Sequence, residues 1–95
     1  MKHLVIVKAN DSAPSREEFI RAAEAAFAPV MSIPGVHAVR VIPGLPLAAN
    51  RYDFIVEITM EQSALPAYND SEAHRLWKEN YGGWIEKKAI FDCED

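Results

Sequence analysis

Apolar side chains crowd the start of the chain. In Lys2-His3-Leu4-Val5-Ile6-Val7-Lys8, His3, Val5 and Val7 point one way along an extended backbone and Leu4 and Ile6 the other, so neither face is polar. The run stops at Asn10-Asp11-Ser12 and Pro14, which predicts a strand followed by a turn. Ser15 with Glu18 three residues later forms a capping box. Phe19, Ala22, Ala23, Ala26 and Phe27 then recur at helical spacing until Pro29, predicting a first helix of roughly three to four turns.

Ile33-Pro34-Gly35 punctuates the chain before a second strand over Val36 to Ile42, which Pro43-Gly44 ends. A loop over Leu45 to Asn50 leads to the clearest strand, Tyr52 to Met60. From Glu61 to Tyr68 the composition turns helical, with Ser63 as the expected N-cap and Pro66 tolerable only in a first turn. Ser71 is placed to cap a further helix carrying His74, Leu76, Trp77 and Tyr81, weakened at Gly82-Gly83. A closing strand over Lys87 to Cys93 follows.

The order is β-α-β-β-α-β with the second helical part split. It predicts an α+β fold of the ferredoxin-like kind, in which a four-stranded antiparallel sheet buries one face under the helices. The other face of the first strand is also apolar and needs a cover. A chain of 95 residues with 49% hydrophobic residues supports one core, so residues 1–95 are read as a single domain that covers this face with a second copy, as a homodimer.

Charge narrows the partners. A formal net charge of -4, with Lys and Arg scattered singly, gives no basic stripe for a phosphate backbone, which argues against nucleic acid. The first apolar run is too short for a membrane span or a signal peptide's core, so no membrane partner is expected and the expected location is the cytoplasm. Cys93 stands alone among Asp92, Glu94 and Asp95, which disfavour its thiolate, and those terminal acids read as a solvated tail. His37 has no carboxylate or Cys at ligand spacing, so no metal is expected. Gly82-Gly83 lacks the Lys-Ser/Thr of a phosphate loop, and no cofactor is implied.

The opening Lys2 to Lys8 strand, Ile33-Pro34-Gly35-Val36, Tyr52-Asp53-Phe54-Ile55-Val56 and Ala67-Tyr68…Ala73-His74 together resemble the stress-responsive A/B barrel (Dabb) family over nearly the whole chain. The resemblance implies a dimeric α+β barrel, two sheets packed face to face, with a small cavity in each subunit. The family includes stress proteins of uncertain activity and a plant polyketide cyclase that closes an aromatic ring without a cofactor. The cyclase branch is similar to this chain in a Tyr followed six residues later by a His, here Tyr68 and His74, and in a strand-1 His, here His3. It departs at Ser71-Glu72-Ala73-His74, where the branch has His-Pro-Ala-His, and at Phe54, where it carries a His.

A His in the first turn of a helix feels the positive end of the backbone dipoles, which favours a neutral ring able to accept a proton. His74 is therefore the candidate base and Tyr68 the phenol that polarises a carbonyl, a pair suited to aldol-type cyclisation or isomerisation. His3, Val5, Phe54 and Trp77 are the candidate pocket lining, for a small apolar or aromatic ligand. The plain alternative makes Tyr68 a buried anchor, His74 a cap or surface residue and the aromatics ordinary core. Three functions follow: a cofactor-free cyclase or isomerase, a non-enzymatic dimeric binding or stress-associated protein, and a cofactor-independent monooxygenase of a related barrel family.

Overall fold

The structure, a computed structural model, describes residues 1–95. Its elements run β1 (Lys2–Ala9), α1 (Arg16–Phe27), β2 (Val36–Pro43), β3 (Phe54–Met60), α2 (Leu65–Asn69), α3 (Glu72–Tyr81) and β4 (Ile85–Cys93). The strands form one antiparallel sheet in the order β2-β3-β1-β4, the ferredoxin-like arrangement that the element order predicts. The apolar first strand thus lies inside the sheet, hydrogen-bonded along both edges.

Local chemistry sets most boundaries. Ser15 Oγ accepts the Glu18 N–H at 3.2 Å and starts α1, whose buried residues Phe19, Ala23 and Phe27 recur every fourth position. Pro29 lacks an N–H, and the chain tightens into a 3-10 turn over Ala28–Ser32. Gly35, at φ 93°, turns the backbone into β2; a Cβ there would stand 3.0 Å from the Ala64 Cβ.

The expected cap at Ser63 is not made. Ser63 lies inside a 3-10 turn over Gln62–Ala64, and α2 begins at Leu65 with no side-chain cap. Pro66 fixes the start instead, because a proline in the first turn gives up no intrahelical hydrogen bond. Ser71 does cap α3, its Oγ accepting the His74 N–H at 3.2 Å.

On the helix side of the sheet, Val5 and Val7 of β1 and Phe54, Val56, Ile58 and Met60 of β3 are buried. Phe19 organises the layer above them, with ring centroids 5.1 Å from Phe54 and 5.2 Å from Trp84, both edge-on. Trp77 of α3 packs 4.9 Å from Phe27 and joins the two long helices. The edge strand β4 is covered far less. Its Lys88, Ile90 and Asp92 pair with Val7, Val5 and His3, so they share the helix-side face, yet all three are exposed. This opening along β4 positions the candidate site.

Candidate active site

Strand register places His3 opposite Asp92, and α2 lays Tyr68 against the His3 ring, edge-on at 5.2 Å between centroids. Ser71 then restarts the helix, so that His74 comes back toward Tyr68, with ring centroids 5.0 Å apart. His3, Tyr68 and His74, with Val5 and Trp77, line one cavity of about 320 Å³ beside β4.

Its three polar rings differ in their hydrogen bonding. His3 is 5% exposed, and its Nδ1 stands 2.5 Å from Asp92 Oδ1. A carboxylate only accepts, so this nitrogen carries the proton. Tyr68 is 1% exposed, and its hydroxyl makes no hydrogen bond within the chain. Burial pushes the phenol well above its ordinary value of 10.0, keeping it a protonated donor at neutral pH.

His74 is half-buried, and its Nδ1 lies 3.0 Å from the Asn69 carbonyl oxygen. That oxygen also only accepts, so Nδ1 holds the proton and Nε2 keeps the lone pair. Burial of the ring lowers its pKa from 6.5; the bond to Asn69 opposes this, and the charges of Lys78, Lys88 and His3 add to it. The imidazole is therefore neutral at neutral pH. Ser71 ties the pair together, since its Oγ accepts from the His74 N–H and donates to the Tyr68 carbonyl at 2.6 Å.

Phe54 is not part of this cavity. It pairs with Val7, whereas His3 pairs with Ile58, four residues further along β3 and ~13 Å away at strand rise. Phe54 instead packs on Phe19 beside a separate cleft with Arg16 and Asp53. The terminal acids are not all a solvated tail either, because Asp92 is paired with His3. The cavity also gathers Asn69, Lys78, Lys88 and Ile90, which the sequence reading passes over. The spacing of His74 and Lys78, one helical turn, and of Lys88, Ile90 and Asp92, every second strand residue, was the available signal.

His3, His74 and Asp92 share the cavity without converging as a metal-binding set. A larger groove of about 510 Å³ between α1 and α3 has Glu72 and Tyr81 as its only ionisable side chains. It lacks the juxtaposed donor and acceptor of the smaller cavity. No helix is long and apolar enough to cross a membrane.

No family model matches the chain, and no curated protein does. Solved structures do. A Dabb family protein with a ferredoxin-like fold from Mesorhizobium loti superposes with a TM-score of 0.73 at 22% identity, covering 99% of this chain and 94% of that one. The chain has the ferredoxin-like fold of that Dabb protein. A dimeric protein of unknown function and ferredoxin-like fold from Bacteroides fragilis superposes at 0.77 with 16% identity, over 99% and 94% of the two chains. A candidate antibiotic biosynthesis monooxygenase from Nitrosomonas europaea does so at 0.72 with 13% identity, over 99% and 98%. The fold is thus shared by proteins of differing description, one of them of unknown function, and the site has to carry the functional argument.

Proposed function

We propose that this protein binds a small carbonyl compound and moves a proton at the carbon next to the carbonyl, without a cofactor, using His74 as base and Tyr68 as hydrogen-bond donor. The observation that carries the reading is the juxtaposition of opposite chemical roles. A neutral imidazole with a free Nε2 and a protonated phenol without a partner stand with rings 5.0 Å apart on one cavity wall. In the step, the Cα–H bond breaks, its proton goes to His74 Nε2, and its electron pair moves onto the carbonyl oxygen, where the Tyr68 O–H donates to the growing negative charge. Return of the proton to another carbon gives isomerisation; attack of the enolate carbon on a second carbonyl gives cyclisation. Electrons stay within the substrate, so the step requires no redox cofactor. His3, held by Asp92, orients the far end of the ligand.

The working form is a homodimer. Its support is the sheet face away from the helices, where Ile42, Ile55, Ile6 and Ala89 form one row across the four strands, together with the dimeric description of a protein with the same fold.

The test is deuterium uptake at the α carbon of methyl β-benzoylpropionate in heavy water, followed by proton NMR. Acceleration by the native protein that disappears in His74→Gln is expected. Binding of the ester with no acceleration would reduce the protein to a ligand carrier.

A further inference from the structure

We infer that the ligand of this cavity is an anion, a carbonyl compound bearing a carboxylate, and that Lys78 and Lys88 recognise its charge. Lys78 stands one turn after His74 on α3, and Lys88 faces it from β4; both line the cavity. The charges on α3 are segregated. Arg75 pairs with Glu72 at 3.5 Å and with Glu79 at 3.0 Å, which takes up the acids of that helix. Neither Lys78 nor Lys88 makes an ion pair or a side-chain hydrogen bond, although Glu86 lies two residues before Lys88, where β4 bulges. Lys87, on the opposite face, lies 5.7 Å from the Tyr52 ring centroid instead.

The cavity contains one acid, Asp92, and His3 already holds it. In a chain of formal net charge -4, the uncommitted charges of this wall are thus both positive. Two ammonium groups beside an apolar wall of Val5, Leu65, Trp77 and Ile90 select a ligand with an anionic end and an apolar body. Along β4, Lys88 and Asp92 are four positions apart, ~13 Å of strand, so the carboxylate and the His3 end of the ligand lie apart with the carbonyl between them. This placement of the carbonyl rests on the proton-transfer reading above, whereas the preference for an anion does not.

The experiment compares β-benzoylpropionate with its methyl ester by calorimetric titration of the dimer at low and high salt. The acid should bind about tenfold tighter at low salt, each ammonium adding a modest, screened attraction. The difference should shrink at high salt and vanish in the Lys78→Gln, Lys88→Gln double variant, with the ester's affinity unchanged. Both lysines are exposed, so the variant keeps the fold. Equal binding of acid and ester, a preference that survives in the double variant, or no binding of either overturns the inference. α-Deuteration of the ester reports separately on His74 and Tyr68. Exchange without an anion preference sinks the lysine site alone; an anion preference without exchange supports it and sinks the proton-transfer step.

Discussion

The Nδ1–H of His74 donates to the main-chain carbonyl of Asn69 at 3.0 Å, so the only lone pair of the ring is on Nε2. Because burial lowers the ring's pKa below 6.5, α-exchange should be level with pH near neutrality and fall only below the ordinary histidine range. Stability follows the same sign. The folded state disfavours the imidazolium while the unfolded chain takes up the proton near 6.5, so this contribution is present above that value and lost as pH falls toward the folded pKa. Urea midpoints measured from neutral pH to about pH 5 should fall more steeply for the native protein than for His74→Gln. Parallel slopes would mean that the ring is not desolvated in solution.

Tyr68 offers a separation of stability from chemistry. Its hydroxyl has no partner in the chain, so Tyr68→Phe should change unfolding free energy by less than about 0.5 kcal/mol while lowering α-exchange tenfold or more. The raised phenol pKa makes a second reading of the same variant. Folding favours the protonated phenol, so that contribution is complete below 10.0 and is lost as pH rises above it. Native protein should lose stability in alkali more steeply than Tyr68→Phe, as urea titrations would register. An exchange rate unaffected by the substitution would remove Tyr68 from the mechanism.

Ser71 is a positioning residue, touching neither ligand nor cavity chemistry but fixing the carbonyl of Tyr68 and the N–H of His74. Ser71→Ala should cost about 1 kcal/mol through loss of the helix cap. It should also lower the turnover of α-exchange more than it weakens ester binding, with Ser71→Thr restoring both. A stability loss with unchanged turnover would leave Ser71 a cap and nothing more.

These local devices are where the sequence was most legible. Ser15 and Ser71 announce their helices because a cap acts within three residues, and Phe54, Val56, Ile58 and Met60 announce a strand through alternation alone. Ser63 looked equally suitable, yet Pro66 decided where α2 begins. The site was legible in part. Tyr68 and His74 are close in sequence and meet through one turn, whereas the pairing of His3 with Asp92 joins residues 89 positions apart through the β1 and β4 register. That register is a tertiary outcome, which is why Asp92 read as tail and Phe54 as pocket.

The Asp92 carboxylate is 43% exposed, so its bond to His3 is screened, but its loss leaves a buried ring nitrogen without a partner. Asp92→Ala should therefore lower stability by about 1 kcal/mol in urea unfolding. A change within experimental error would show that water replaces the carboxylate at the cavity mouth.

Leu4 lies at the centre of the sheet face proposed to join two copies, paired with Glu57 on one side and Phe91 on the other. Phe91 is 57% exposed, a large apolar side chain on an open face. Glu57 is held by Lys2 at 2.8 Å and Arg40 at 3.4 Å, and its bond with Lys2 is the leading cause that lowers its pKa, so the one acid among these apolar side chains is already neutralised. Leu4→Asp adds a second carboxylate beside it with no further cation, and closing a dimer over that charge would require desolvating it unpaired. Light scattering should then report a monomer for Leu4→Asp and a dimer for the native chain, while Leu76→Asp, on the helix surface, stays dimeric. The native protein's unfolding midpoint should rise with protein concentration, and that of Leu4→Asp should not. A dimer that survives Leu4→Asp with unchanged concentration dependence would move the interface away from the sheet, and with it the face-to-face barrel that the resemblance implies.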